Sequence, residues 1–312
     1  MSDVITLGEA MILLAPQDGL PLGRSENFGV HIAGAESNVA LYLADAGVPV
    51  SWLSAVGTDP FGERLVDYMS RHQVNTSLVL RDSARSTGVF FKNHSNAGTT
   101  VHYYRAGSAA STLSPDSLAG LRELCRSNNP PKVLHLSGIT AALSASCLAL
   151  SQAAITLGKE HGITVSFDVN FRPGLWQAST AGPVLRALAN QSDVVLVGLD
   201  EAQDLWGCTT PADIQAFVPD AGELVIKDGA KGATWLGAGD ISFVPTPTVD
   251  VVEVVGAGDA FAAGFLYSRL SGATVAEQLL MGHRFAARAM SSPADFRSLE
   301  DFRQTTHTER LT

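Results

Sequence analysis

The stretch Val249-Asp250-Val251-Val252-Glu253-Val254-Val255-Gly256-Ala257-Gly258-Asp259-Ala260-Phe261-Ala262-Ala263-Gly264-Phe265 decides how the rest of the chain is read. Its first seven residues are rich in β-branched valine and predict an extended run that stops at Gly256. Small residues with Phe261, Phe265 and Leu266 at helical spacing then predict a helix. Glycines at a helix start let the backbone approach a ligand closely, and the free N–H groups and helix dipole favour an anion there. Asp259 among those donors reads in two ways: as a cap of its own helix, or as a base placed to take a proton. No Lys-Ser/Thr follows as in a Walker A loop, and the glycines do not form GxGxxG.

Other short β-branched runs end in Gly, Asp or Asn: Val4 to Leu7, Val133 to Leu136, Thr164 to Phe167, Val194 to Val197 and Leu224 to Ile226. Ala/Leu-rich stretches long enough for helices lie between them, from Ser144 to Gly162 and Thr180 to Asn190. Apolar strands alternating with helices indicate an α/β fold with a mostly parallel, covered sheet. Ligands bind beyond the carboxyl ends of such strands, which brings Asp168, Asn170, Asp200, Glu201 and Asp228 towards one edge. Residues 10–33 and 86–107 do not fit this alternation. The second reads as strands Gly88 to Asn93 and Thr99 to Arg105 around an Asn/Gly-containing turn, a hairpin signal. Both segments are expected to form a small β-sheet lid inserted in a single domain spanning 1–312, since no linker or repeat divides the chain.

The 312 residues, 46% apolar and 17% charged, are enough for a substantial core. A net charge of −10 argues against nucleic acid or an anionic membrane as the main partner. Cys125, Cys147 and Cys208 are scattered and odd in number, which fits reduced thiols rather than a disulfide framework or a zinc site. With neither a signal-peptide pattern nor an apolar run of membrane-spanning length, the expected location is the cytoplasm.

A second glycine-bearing stretch, Ala33-Gly34-Ala35-Glu36-Ser37-Asn38-Val39-Ala40, precedes a helix closed by Gly47. Asn38 there is either a first-turn cap or a side chain free to meet a ligand. Gly57-Thr58-Asp59-Pro60-Phe61-Gly62 reads as a turn into a helix beginning at Pro60. In Tyr103-Tyr104-Arg105 the alternation of a strand puts Tyr103 and Arg105 on one surface, an aromatic wall beside a guanidinium that can fork onto a carboxylate.

Taken in this order along the chain, these stretches resemble the ribokinase-like (PfkB) carbohydrate kinases. Gly256-Ala257-Gly258-Asp259 is similar to the core of that family's second signature, with Glu253-Val254 where the family carries Asp-Thr; residues 33–40 are similar to the first, with Ala33 in place of its first Gly. The Tyr103-Tyr104-Arg105-Ala106-Gly107-Ser108-Ala109 run and Asp168-Val169-Asn170-Phe171-Arg172-Pro173-Gly174-Leu175-Trp176 resemble the 2-keto-3-deoxygluconate kinase branch. The resemblance implies a three-layer αβα core with a β-sheet lid, and ATP-dependent phosphorylation of a small sugar acid. It implies Asp259 as base, with the N–H groups of Gly256, Ala257 and Gly258 as the anion hole. Gly34, Asn38, Phe90, Tyr103, Arg105, Asn170 and Arg172 would meet the sugar acid, Arg105 and Arg172 converging on its carboxylate.

On the nucleotide side it implies Lys227, Gly229, Lys231 and Gly232, from Lys227-Asp228-Gly229-Ala230-Lys231-Gly232, together with Gly256 and Gly258. Glu201 would help organise Mg2+, with Gly198 standing where the family carries Asn, and a monovalent cation would sit near the altered Glu253-Val254 loop. Self-association through the lid is also implied. Three alternatives stay open: a kinase for fructose, tagatose phosphate, ribose or a nucleoside; a sugar-acid-binding relative without turnover; and a nucleotide-dependent oxidoreductase, which the lack of GxGxxG after the first strand disfavours.

Overall fold

The computed structural model describes residues 2–95, 98–249, 251–291 and 296–299. Its strands are β1 (Val4–Leu7), β2 (Met11–Pro16), β3 (Phe28–Ala33), β4 (Val50–Gly57), β5 (Val79–Asp82), β6 (Val89–Ser95), β7 (Gly98–Tyr104), β8 (Val133–Ser137), β9 (Thr164–Asp168), β10 (Val194–Gly198), β11 (Glu223–Asp228), β12 (Gly232–Gly237) and β13 (Asp240–Pro245). Its α-helices are α1 (Ala35–Asp45), α2 (Pro60–Arg71), α3 (Ala119–Cys125), α4 (Gly138–Ala142), α5 (Ala145–Glu160), α6 (Ala178–Ala189), α7 (Leu199–Trp206), α8 (Pro211–Phe217), α9 (Ala257–Leu270) and α10 (Val275–Met290).

Nine strands form one sheet in the order β13-β12-β11-β10-β9-β8-β1-β4-β5, parallel from β11 to β5 with β12 and β13 antiparallel at one end. The central strands are apolar on both faces because helices cover both. Along β10, Val195 and Val197 enter a core with α5 and α6, while Val194 and Leu196 enter one with α1, α9 and α10. This period of two, feeding two separate cores, makes the continuous apolar runs of the sequence. Apart from the run before Gly256, the strands read from the sequence form, each within two residues of its expected ends.

A four-stranded sheet, β3-β2-β6-β7, stands apart from the large one. It is built from the two segments that did not alternate with helices. β6 and β7 pair antiparallel from Val89–Tyr104 to Ser95–Gly98, as the hairpin signal predicts, and turn residues 96 and 97 lie outside the described residues. Its inner face carries Met11, Leu13, Ala33 and Phe90.

One expectation fails. The valine-rich run before Gly256 is not a strand in its described residues. The Val252 and Glu253 N–H groups donate instead to the Met290 carbonyl at the end of α10, and Val251, Val252 and Val254 are more than half exposed. β-Propensity reflects packing on a sheet surface, and this run docks on a helix end with no strand beside it among the described residues.

Candidate active site

Gly256 precedes α9 in the left-handed region, φ 82°, where a side chain would be strained. That bend sets Gly258 and Asp259 in the first turn of α9. Ala257 does not serve as the sequence suggested, because its N–H donates to the Val254 carbonyl at 3.2 Å.

Asp259 is 9% exposed, and its carboxylate reaches across the molecule rather than along its own helix. Asn38 Nδ2 donates to Oδ2 at 2.8 Å from α1, and Asn170 Nδ2 donates to Oδ1 at 3.4 Å from just beyond β9. Asn170 sits at φ 41°, a left-handed conformation that Asn tolerates better than most residues, and this turns its amide towards Asp259. A carboxylate only accepts, so both amides must present Nδ2 to it and aim Oδ1 elsewhere. Both Oδ1 atoms are buried, with no hydrogen-bond partner among the described residues. A buried acceptor left open in a cleft is fitted to a hydroxyl donor on a ligand. Asp259 and Asn38 thus bond each other across two helices, and both line the cleft described below.

Beside this triad lies a second charged group. Lys227, near the end of β11, places Nζ 3.0 and 3.2 Å from the two oxygens of Asp168 at the end of β9. Burial alone would lower the ammonium pKa, but the charges of Asp168 and Glu201 outweigh it and raise it, so Lys227 stays protonated. A Cβ built on Gly258 would lie 3.6 Å from this Nζ, which puts the cation against the first turn of α9. Glu201, in the first turn of α7, accepts from the Gly198 N–H at 2.9 Å and meets Arg172 Nη1 at 3.5 Å. Burial pushes its carboxyl up, with Lys227 pulling the other way. Glu201 is therefore engaged as a helix cap, and among the described residues no three His, Cys, Asp or Glu side chains could together hold a metal.

A cleft of about 800 Å³ joins these groups to the small sheet. Gly34, Asn38, Asn170, Arg172, Glu201, Lys227 and Gly229 line it, as do Gly256, Gly258 and Asp259. From above, Phe90, Tyr103 and Arg105 complete it, with the Tyr103 and Phe90 rings 5.5 Å apart and the Arg105 guanidinium 5.6 Å from the Tyr103 ring centre. A second cavity of about 510 Å³ adjoins the first at Lys227, Gly229, Val254 and Gly258. Its walls are mainly apolar, among them Val249, Val251, Phe261, Ala286 and Met290, and Gly232 lies on it too.

Two expectations need correcting here. Lys231 lines neither cavity: it is on the exposed β11–β12 turn, where Asp228 holds its ammonium at 3.0 Å. Arg105 and Arg172 are not two bare cations converging on one point. Arg105 is buried in an ion pair with Glu9, while Arg172 is about half exposed and donates to the Phe171 carbonyl at 2.9 Å as well as facing Glu201. Glu253 folds onto its own backbone, one oxygen accepting from the Val254 and Val255 N–H groups at 2.9 and 3.4 Å.

A model of the pfkB family carbohydrate kinases matches residues 1–301. The chain belongs to that family. It is 32% identical over 303 residues to the 2-dehydro-3-deoxygluconokinase of Bacillus subtilis (strain 168), covering 95% of this chain and 92% of that one. Among solved structures it is similar to the PfkB protein from Polaromonas sp. JS666, 36% identical with a TM-score of 0.85 over 95% of this chain and 98% of that one. A sugar kinase from Pyrococcus horikoshii, solved in complex with ATP, aligns at 25% identity with a TM-score of 0.81, over 94% of this chain and 93% of that one.

Three residues of this pfkB-family cleft were missed in the sequence. Asp168 was placed at the sheet edge without a role, yet it is the carboxylate that holds Lys227. Lys92 lies two residues beyond Phe90 on the same face of β6 and lines the cleft, a position that strand alternation could have given. Glu9 follows the end of β1, where an acid at the carboxyl edge of a buried strand is itself a signal.

Proposed function

We propose that the chain transfers a phosphoryl group from ATP to a hydroxyl of a 2-keto-3-deoxy sugar acid, with 2-keto-3-deoxygluconate, giving its 6-phosphate, as the favoured acceptor. One observation carries this reading: the Asp259 carboxylate at the start of α9 is held by Asn38 and Asn170, whose own oxygens remain open. A hydroxyl-rich acceptor supplies the donors that those oxygens lack, and Asp259 is left to take the proton of the attacking hydroxyl. The relatives named as 2-dehydro-3-deoxygluconokinases support the choice of acceptor.

ATP with its magnesium would supply the phosphoryl group and screen its charge; with no cluster of metal ligands among the described residues, the metal's coordination would come from phosphate oxygens and water. The rest falls to this chain. The Gly258 N–H and the Lys227 ammonium stand where negative charge develops on the phosphoryl group during in-line transfer. The second, apolar cavity suits the flat face of a nucleobase, beside Gly229 and Gly232. Tyr103 and Phe90 wall the sugar, and Arg105 faces its carboxylate. A monovalent cation near residues 253–256 would have to compete with two amide bonds for Glu253.

The small sheet acts as a lid on a single domain, keeping out water that would otherwise accept the phosphoryl group. Its outer face supports self-association: Tyr104 is 69% exposed, and Phe91 meets both Tyr104 and Phe28 edge-to-face. No helix among the described residues is long and apolar enough to cross a membrane. Replacing Asp259 by Asn keeps the shape of the site and removes the proton acceptor. Turnover should fall by about 10³-fold, within the range usual for a lost general base, while acceptor affinity changes by less than about threefold. Near-normal turnover in Asp259→Asn would end the assignment.

A further inference from the structure

Four passages of the chain connect the small sheet with the α/β body, and all of them meet at Glu9. Glu9 lies in the first passage, between β1 and β2. In the second, from β3 to α1, a Cβ on Gly34 would come 2.3 Å from the Glu9 carbonyl oxygen. In the third, leading into β6, a Cβ on Gly88 would lie 2.9 Å from Glu9 Oε1 and 3.4 Å from the Cβ of Arg105. In the fourth, leaving β7, Arg105 Nη2 pairs with Glu9 Oε2 and Ser108 Oγ donates to Oε1.

Glu9 is 2% exposed and Arg105 is 9% exposed, so moving either would leave the other's charge unpaired and out of water. The pair therefore fixes the guanidinium far more firmly than the flexible stem of an exposed arginine would allow. Arg105 also lines the cleft, and its Nε is buried with no hydrogen-bond partner among the described residues. One guanidinium thus faces the hinge carboxylate on one side and the cleft on another.

We propose that Glu9 is a positioning residue that sets Arg105 for the carboxylate of the sugar acid, tying acid recognition to the point where the small sheet pivots. This rests on the sugar-acid reading above. A neutral acceptor has no group for Arg105, so Glu9 acts on the two kinds of acceptor unequally. A residue that only stiffened the hinge would act on both alike.

The test compares KM for 2-keto-3-deoxygluconate and for fructose, at saturating ATP and magnesium, in the wild type, Glu9→Gln, Arg105→Gln and the double variant. Glu9→Gln should raise KM for the acid by about tenfold or more and that for fructose by less than about twofold; the double variant should match Arg105→Gln alone. Equal effects on both acceptors, or losses that multiply in the double variant, overturn the proposal. If Glu9→Gln does not fold, as circular dichroism would show, Glu9→Asp takes its place: calorimetry should find the acid bound about threefold or more weakly, and unchanged binding overturns the proposal. A wild type that does not prefer the acid overturns both this inference and the sugar-acid reading. A preference that survives intact in Glu9→Gln overturns this inference alone.

Discussion

The floor and the roof of the cleft are built on different principles. The floor joins α1, α9 and the ends of β9 and β11 through buried or partly buried side-chain bonds between residues far apart in sequence, such as Asn38 with Asp259 and Lys227 with Asp168. The roof is a small sheet whose neighbouring strands place Phe90, Tyr103 and Arg105 by simple alternation, and the Glu9–Arg105 pair ties it to the passage leading from the body. A rigid floor suits chemistry, which depends on fixed positions for the base and the cation. A roof carried on hinge passages suits the choice of acceptor and its enclosure. Floor substitutions should therefore change turnover, and roof substitutions should change acceptor affinity.

Lys227→Met gives the larger effect. It removes the cation against the first turn of α9, and kcat should fall by about 100-fold with little change in acceptor KM. It also leaves the 2%-exposed Asp168 without its partner, so the melting temperature should drop as well. A loss confined to acceptor KM would erase the distinction between floor and roof.

A smaller effect tests how dry the floor is. His135 on β8 is fully buried, bonded to Ser166 Oγ at 3.0 Å, and burial pushes its pKa from 6.5 to about 4, with Asp168 opposing the shift. Below about pH 6.5 the unfolded chain binds a proton that the folded chain refuses until about pH 4, so stability falls as pH drops through that window. The shift corresponds to about 3 kcal/mol at most. His135→Asn should flatten denaturant-derived stability between pH 7 and 4 relative to the wild type. Parallel curves would mean that the floor is wetter than its packing indicates.

Much of this plan is legible in the sequence. Runs such as Val194 to Val197 betray strands buried on both faces, and Gly256-Ala257-Gly258-Asp259 marks the helix start that carries the proposed base. What escaped has physical reasons. The valines before Gly256 read as a strand because propensity cannot say whether a partner strand lies alongside. Lys231 and Lys227 look alike as lysines near glycines, and only the fold shows one reaching Asp168 while the other turns to Asp228 in solvent. Arg105 reads as a cation in the sequence, but the partner that holds it, Glu9, lies near the start of the chain. Pairings across such distances are set by topology rather than by local pattern.

The most direct test of the account measures phosphoryl transfer from ATP to 2-keto-3-deoxygluconate and to fructose by the wild type and by Arg105→Ala. The wild type should favour the acid in kcat/KM by about 100-fold or more, and Arg105→Ala should lose most of that preference through KM while kcat stays within about threefold. A wild type that phosphorylates fructose as well as the acid, or an Arg105→Ala variant that loses kcat equally on both, would contradict it.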